Sequence, residues 1–251
     1  MKRSFDFLAG LCGLALLPLL GLIALAVWLE DRRSPWFRAT RVGRGGRRFR
    51  MLKFRTMIPD AWKSGVNSTA AGDSRITFAG KWLRKAKLDE LPQLWNVLAG
   101  DMSLVGPRPQ VRADVVLYTR EERLMLESRP GITDLASIVF ADEGAILDGS
   151  ADPDLLYNQI IRPWKSRLIL LYLSNSCFGT DLHILWMTAI ALVSRRRALR
   201  ALVRLIDSMG AEEKLKAMAG RQVPLEAWPP PGSIAIVQSY APERRGLAVN
   251  A

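Results

Sequence analysis

Apolar and polar positions are spread unevenly along the chain. Phe7 to Leu29 is a run of 23 residues without a charge, long enough to cross a hydrocarbon core as a helix. Pro18 lies at its middle, where a proline removes a backbone donor, clashes with the preceding turn and kinks a helix. Lys2 and Arg3 precede the run, and Arg32 and Arg33 follow it. A cleaved signal peptide, a spanning helix and a re-entrant hairpin all fit the hydropathy. The run is long for a signal core, and a span leaves one basic flank on the disfavoured side. A bend at Pro18 puts both basic flanks on one face, where anionic lipids attract them. The residues therefore favour the re-entrant hairpin and leave the span open.

Beyond the run the periodicities are short. Ala39–Gly43 and Arg47–Met57 read as extended segments separated by Gly45-Gly46, a hairpin signal. Residues 58–80 are rich in loop formers, among them Pro59, Gly65, Gly72 and Gly80. Leu91, Leu94, Trp95 and Leu98 recur at helical spacing. Pro92 is tolerated only in a first turn, so the helix is expected to begin with Asp89 as N-cap and Glu90 as its first residue. Gly100 is expected as its C′ residue. Residues 111–128 read as one helix, 129–133 as a turn, and 153–178 and 181–193 as two helices. Leu168–Leu173 and Leu182–Val193 are strongly apolar but too short to span, so they are either buried or interfacial. Residues 195–219 read as a basic amphipathic helix with Leu199, Leu202, Val203 and Ile206 on one side. Residues 223–251 read as a proline-rich tail.

Charge sharpens this picture. Lysine and arginine outnumber the acids by 36 to 24, a net +12 over 251 residues. Ten of those basic residues, and no acid, lie between Arg32 and Arg55. Such a block seeks polyanions. It lacks the interleaved aromatic platform that single-stranded nucleic acid needs, so lipid headgroups or a phosphorylated ligand are preferred to nucleic acid. With 49 % apolar residues, the chain can build a core, and a disordered, collagenous or disulfide-stapled protein is excluded. The two cysteines, Cys12 and Cys177, are too few and too scattered for a metal site or disulfide framework; both read as small hydrophobes. His183, within an apolar run, reads as a packed or interfacial residue.

Adjacent carboxylates at a helix start sit where backbone N–H groups and the macrodipole stabilise negative charge. Asp89 and Glu90 follow Arg84, Lys85 and Lys87, and precede Arg108, which two prolines hold in the stiff Gly106-Pro107-Arg108-Pro109 loop. Acids among fixed cations suit a phosphate substrate and a divalent cation.

Two blocks, Asp89-Glu90-Leu91-Pro92-Gln93-Leu94-Trp95-Asn96-Val97-Leu98 and Gly100-Asp101-Met102-Ser103-Leu104-Val105-Gly106-Pro107-Arg108-Pro109, resemble the core of the monotopic phosphoglycosyl transferases, the bacterial sugar transferase family. Lys2-Arg3 and Asp6, Arg41-Val42-Gly43, Lys53-Phe54-Arg55-Thr56-Met57, Asp73-Ser74-Arg75-Ile76-Thr77, Arg129-Pro130-Gly131-Ile132-Thr133 and Thr180-Asp181-Leu182 agree in order and spacing. The resemblance covers about residues 1–193. It implies a mostly helical α+β protein. A re-entrant membrane helix (1–31) would precede a cytosolic catalytic core (32–193) carrying a small β-hairpin and surrounded by interfacial amphipathic helices. A basic amphipathic helix and proline-rich tail (194–251) would follow.

The resemblance also implies a reaction. A sugar 1-phosphate passes from a UDP-sugar to a polyprenol phosphate (undecaprenyl phosphate) with Mg²⁺, releasing UMP and starting a glycoconjugate such as exopolysaccharide, capsule or O-antigen. Asp89 is implied as nucleophile and Mg²⁺ ligand, in a catalytic dyad with Glu90, with a covalent phosphosugar on the aspartate. Lys53, Arg84 and Arg108 match basic positions of the family and are the expected phosphate contacts. The expected partners are the UDP-sugar, undecaprenyl phosphate and anionic membrane lipids, with no nucleic acid. Room is left for downstream glycosyltransferases and for a homo-oligomer. The expected place is the cytoplasmic face of the bacterial inner membrane. Two departures stand out: Leu17-Pro18 replaces the family's frequent Ser-Pro, and Asp134 stands where glycine is usual, a position at which φ > 0 is expected. The competing reading is an inactive membrane-anchored basic scaffold whose acids serve only as caps.

Overall fold

A computed structural model describes residues 2–64, 68–70 and 72–239. Gly65 of the loop-rich segment and residues 240–251 of the expected tail lie outside the described residues. The apolar run forms α1 (Lys2–Cys12), a 3₁₀ turn over Gly13–Leu16 and α2 (Leu17–Asp31). By length and composition, Lys2–Asp31 could cross a membrane. The irregular turn precedes Pro18, which sits in the first turn of α2. There its missing N–H costs nothing.

Both ends of this segment are fastened to one body. Lys2 Nζ donates to Asp181 (2.6 Å), to the Tyr172 hydroxyl (3.1 Å) and to the Val105 carbonyl (2.9 Å). Arg3 donates to the Val97 and Leu98 carbonyls. Buried Asp6 accepts from Ser103 Oγ and Leu104 N–H. At the far end Asp31 receives two hydrogen bonds of 2.6 Å from Arg55, and Glu30 accepts from Phe78 N–H. Between them Ile23 and Val27 are buried with Phe54 and Leu83, while Leu8, Leu11, Leu22, Leu25 and Leu29 are exposed.

The hairpin forms as its alternation predicts. β1 (Trp36–Val42) and β2 (Arg48–Phe54) pair antiparallel, with Ala39 opposite Met51 and Trp36 opposite Phe54. Ala39 and Met51 are buried on one face with Val97 and Met102, and Phe54 on the other with Ile23, Val27 and Leu83, while the arginines of the two strands are exposed or half-buried.

After α3 (Phe78–Ala86) comes the short dyad segment, then α4 (Gln93–Ala99). Gly100 ends α4 at φ +90°, as its position predicts. Next, β3 (Ser103–Val105) pairs in parallel with β4 (Gly131–Thr133), in the stretch expected to be a turn. Here two backbones run almost in contact. A Cβ on Gly131 would lie 2.1 Å from the Gly106 nitrogen, so only glycine permits the pair.

The helix expected over 111–128 is instead two pieces: α5 (Arg112–Val116), and a 3₁₀ segment over Glu122–Glu127 before β4. A capping box separates them. Glu122 N–H donates to Thr119 Oγ1, and Thr119 N–H donates to Glu122 Oε2.

The main core gathers α6 (Leu135–Val139), α7 (Glu143–Ile146), α8 (Pro153–Leu156), α9 (Arg162–Ser174), α10 (Phe178–Val193), α11 (Arg195–Ser208) and α12 (Glu213–Ala219). A π turn over Tyr157–Ile161 joins α8 to α9. α9 buries Leu168, Ile169 and Tyr172, whereas α10 buries Ile184 and Met187 and exposes Leu182, Trp186, Leu192 and Val193. The segment 195–219 is divided at Gly210, φ +80°, and Leu199, Leu202 and Ile206 are buried as expected. Cys12 and Cys177 are free and exposed; Cys177 caps α10 by accepting from Thr180 N–H, so it does not act as a core hydrophobe. His183 is exposed, with Nδ1 2.9 Å from the Gly179 carbonyl.

Residues 222–239 do not hang free. Trp228 stacks on Trp164 with ring centroids 5.7 Å apart. Its N–H donates to the Gln159 carbonyl, and Gln159 Nε2 donates to the Val237 carbonyl.

Candidate active site

The dyad does not open a regular α-helix. Lys87 at φ +57° ends α3, Leu88–Glu90 form a 3₁₀ turn, and α4 starts at Gln93, after Pro92. Pro92 has no N–H, so the turn closes through short bonds from Leu91 to Leu88 and from Leu94 to Leu91. Asp89 is therefore not an N-cap: it makes no capping hydrogen bond, and its side chain is buried.

The two carboxylates have opposite fates. Glu90 Oε1 accepts from Lys53 Nζ (2.8 Å) and Arg108 Nη2 (2.5 Å), and Oε2 accepts from Arg108 Nη1 (3.3 Å). Burial alone would raise its pKa, but Arg108 and Lys53 together outweigh burial and hold it well below the usual carboxylate range. Asp89 accepts no hydrogen bond from any described residue. Burial raises its pKa, and Glu90 adds to that; Lys53, Arg84 and Arg108 oppose the rise without cancelling it. The expectation that this carboxylate is stabilised as an anion by a helix start is thus corrected. Its ionisation rests on the surrounding cations.

Those cations come from three elements. Lys53 lies on β2, and its pKa is lowered to about 8 by burial and by Arg108, against the pull of Glu90 and Asp89. Arg84, on the last turn of α3, donates through Nε to Thr56 Oγ1 (2.9 Å). It makes no hydrogen bond to either acid, and its charge acts on Asp89 through space. Arg108 lies on the loop after β3. All five residues expected at the site are brought together.

Three residues outside that set shape it. Asn96 accepts from Leu52 N–H (2.9 Å) and donates to the Arg50 carbonyl (2.8 Å), locking α4 to the strand that carries Lys53. Asp134, at φ −157°, is extended and caps α6; it does not occupy the positive-φ position expected from the family's glycine. Its other oxygen accepts from Arg108 N–H at 3.1 Å. Gln93 is buried, and its Nε2 has no hydrogen-bond partner among the described residues. Gln93 and Asn96 lie one helical turn apart on the stripe's polar edge, a spacing visible in the sequence, whereas Asp134 stood out only as a departure from the family's glycine.

Among the described residues no group of three His, Cys, Asp or Glu side chains could hold a metal. The donor set fits a hard cation nonetheless, because Mg²⁺ is commonly bound by one or two carboxylates, with water and substrate phosphates completing the shell. Asp89 is a buried carboxylate with both oxygens uncommitted.

The family model described as bacterial sugar transferase matches residues 1–195. The UDP-glucose:undecaprenyl-phosphate glucose-1-phosphate transferase of Caulobacter vibrioides is 40 % identical over 188 residues, covering 72 % of this chain and 70 % of that protein. The exopolysaccharide production protein ExoY of Rhizobium meliloti is 41 % identical over 153 residues, 55 % of this chain and 68 % of the relative. A UDP-N-acetylgalactosamine-undecaprenyl-phosphate N-acetylgalactosaminephosphotransferase of Aeromonas hydrophila is 41 % identical over 143 residues. That match covers 55 % of this chain and 34 % of the relative, so this chain spans only part of that longer protein.

Proposed function

Because the chain belongs to the bacterial sugar transferase family, we propose that it transfers a sugar 1-phosphate from a UDP-sugar to undecaprenyl phosphate. UMP is released, and an exopolysaccharide-type glycan is begun. The observation that carries this is the division of labour in the dyad: Glu90 is clasped by Lys53 and Arg108, while the buried Asp89 beside it is uncommitted.

In the first step an Asp89 carboxylate oxygen attacks the phosphorus bearing the sugar. The bond from that phosphorus to the bridging oxygen breaks, and its electrons leave with UMP. In the second step a phosphate oxygen of undecaprenyl phosphate attacks the same phosphorus, the acyl-phosphate bond breaks, and the Asp89 carboxylate is restored. Splitting the transfer through a covalent intermediate replaces one hard displacement by two easier ones. Lys53, Arg84 and Arg108 bind the diphosphate and offset the repulsion between anions. Glu90 holds Lys53 and Arg108 in place for that task. Asp89 would hold Mg²⁺ together with substrate phosphate oxygens; when bound, the cation supplies further charge neutralisation on the diphosphate.

The N-terminal segment is a re-entrant membrane anchor in this proposal. Its support is that Lys2 and Arg3 at one end, and Glu30 and Asp31 at the other, fasten to the same body. A span would separate those ends by a bilayer. Exposed Phe78, Trp82, Trp95 and Trp186, with Arg32 over the Trp28 ring and Lys85 over the Trp82 ring, suit residues at headgroup depth. The basic flanks support a body on the cytoplasmic face in this proposal.

The test is to mix the enzyme with a UDP-sugar and Mg²⁺, quench before the lipid acceptor is added, and map peptide masses. A sugar-phosphate adduct on the peptide containing Asp89 is expected, and none in Asp89→Asn. Product formation without an adduct, together with turnover by Asp89→Asn, would overturn the assignment.

A further inference from the structure

One buried donor beside the dyad is left over. Gln93 is 1 % exposed, and its Nε2 is buried without a hydrogen-bond partner among the described residues. A buried polar group left unpaired costs about 1–3 kcal/mol, and native structures hold few of them. Asn96, the other buried amide of α4, shows the contrast. It is used at both ends, accepting from Leu52 N–H and donating to the Arg50 carbonyl. Packing of α4 on the hairpin therefore explains Asn96 and leaves Gln93 unexplained. Val97, four residues on, lies in an apolar cluster with Ala39, Met51 and Met102, so for folding alone an apolar side chain of the same length would serve at position 93.

The place of that donor is informative. Backbone angles stay helical through the dyad turn, with Leu91 at φ −52°, ψ −38° and Pro92 at φ −61°, ψ −17°. Residues three and four apart on such a backbone share a face, and the buried positions Asp89, Gln93, Asn96 and Val97 follow that spacing. Gln93 is thus one turn behind Asp89 on the buried face. Side chains on a helix lean toward its N-terminus, which carries the Gln93 amide toward the turn that holds Asp89. Asp89 accepts no hydrogen bond from any described residue. Lys53 and Arg108, which could have supplied one, are bound to Glu90, and Arg84 is bound to Thr56. An uncommitted acceptor and an unpartnered buried donor therefore lie one turn apart.

We propose that Gln93 is a positioning residue that acts through Asp89: as substrate seats, its amide turns to donate to the Asp89 carboxyl oxygen that does not attack phosphorus. The assignment rests on the covalent transfer proposed above and adds a residue to it. The charge on Asp89 decides which step the contact serves. When Asp89 attacks, its carboxylate gives up charge to the new bond, and a donor on the spare oxygen contributes little. When undecaprenyl phosphate attacks, the bond from phosphorus to Asp89 breaks, its electron pair returns to the carboxylate, and the spare oxygen regains charge. A hydrogen bond that strengthens on the way to that transition state speeds the step. Gln93 therefore serves discharge of the adduct more than its formation.

Full-length protein in nanodiscs is compared with Gln93→Met and Gln93→Leu, using the best donor among UDP-glucose, UDP-galactose and their N-acetyl counterparts. Methionine keeps an unbranched, flexible side chain without the donor. Four quantities are read: melting temperature, KM for the donor, the single-turnover rate of UMP release without acceptor, and the rate at which undecaprenyl phosphate discharges the preformed adduct, followed by intact mass. Loss of the contact is expected to slow discharge about tenfold or more. UMP release and KM should change much less, and the adduct should build up in the steady state. The melting temperature should hold or rise, because an orphaned amide is removed. A shifted melting temperature with discharge as fast as in wild type would mark a structural amide satisfied by a trapped water, and would overturn the proposal. Equal slowing of both steps would overturn it too, as would failure of both variants to fold. If only one folds, its discharge rate decides. Absence of any adduct in wild type would instead remove the covalent step itself, and the role of Gln93 with it.

Discussion

The Arg108 N–H donates to Asp134 Oδ2 at 3.1 Å, while the other oxygen of that carboxylate accepts from Ser137 N–H at 2.5 Å and caps α6. One buried side chain thus joins the start of a core helix to the loop that presents Arg108 to Glu90. Asp134→Ala should lose the cap, worth about 1 kcal/mol, and let the arginine loop drift. The expected result is a modest fall in melting temperature with a larger fall in kcat/KM. Asp134→Asn keeps one acceptor oxygen, enough to cap Ser137 N–H, and turns a donor NH₂ toward the Arg108 N–H, so it should recover the melting temperature but not kcat/KM. Recovery of kcat/KM along with the melting temperature would refute the positioning role.

Glu90 and Asp89 should respond differently to neutralisation. Glu90→Gln removes charge-assisted hydrogen bonds to Lys53 and Arg108, each worth about 1.5–3 kcal/mol. We expect a raised KM for the UDP-sugar and lowered stability, with a detectable adduct on Asp89 retained. Steady-state kinetics combined with peptide mass mapping checks this.

Lys53 titrates where activity can be measured. Its pKa of about 8 is below its ordinary value of 10.5, burial and Arg108 outweighing Glu90 and Asp89. As pH rises through 8 the folded protein loses this charge, and with it a phosphate contact. The kcat/KM profile should therefore fall on a basic limb near pH 8, and Lys53→Arg should move that limb upward. Stability runs the other way. Between pH 8 and 10.5 the unfolded chain binds more protons at this position, so its contribution to the unfolding free energy rises with pH. Denaturant melts of wild type and Lys53→Arg across that range should diverge with that sign.

The two ends of the anchor make a topological prediction. In a variant lacking Cys12 and Cys177, single cysteines at the exposed positions Ser4 and Arg38 should be labelled from the same side of the membrane. Labelling from opposite sides would make the segment a true span. Removing the clasp with Arg55→Ala should loosen the segment's far end and increase proteolysis near Asp31.

Local pattern alone was enough for several features. The alternation around Gly45-Gly46 specifies the hairpin, since both strands and turn lie within nineteen residues, Trp36–Phe54. The uncharged run, the stripe ending at Gly100 and the apolar side of residues 195–208 follow from spacing in the same way. The motif blocks also identified which five side chains would meet.

Tertiary structure decided the rest. Whether Asp89 or Glu90 is left uncommitted depends on Lys53 and Arg108, which lie 36 and 19 residues from Asp89 in the chain, and on burial that no local pattern encodes. The start of α4 moved to Gln93 because Leu88–Glu90 closes as a 3₁₀ turn and Pro92 has no N–H to continue it. The parallel pair of β3 with β4 depends on two glycine backbones meeting from distant segments. The docking of residues 222–239 required Trp164 to be in place. Periodicity reports which face of an element turns inward, but the partner met there, and therefore the charge and solvation of each acid, is set only when remote segments pack.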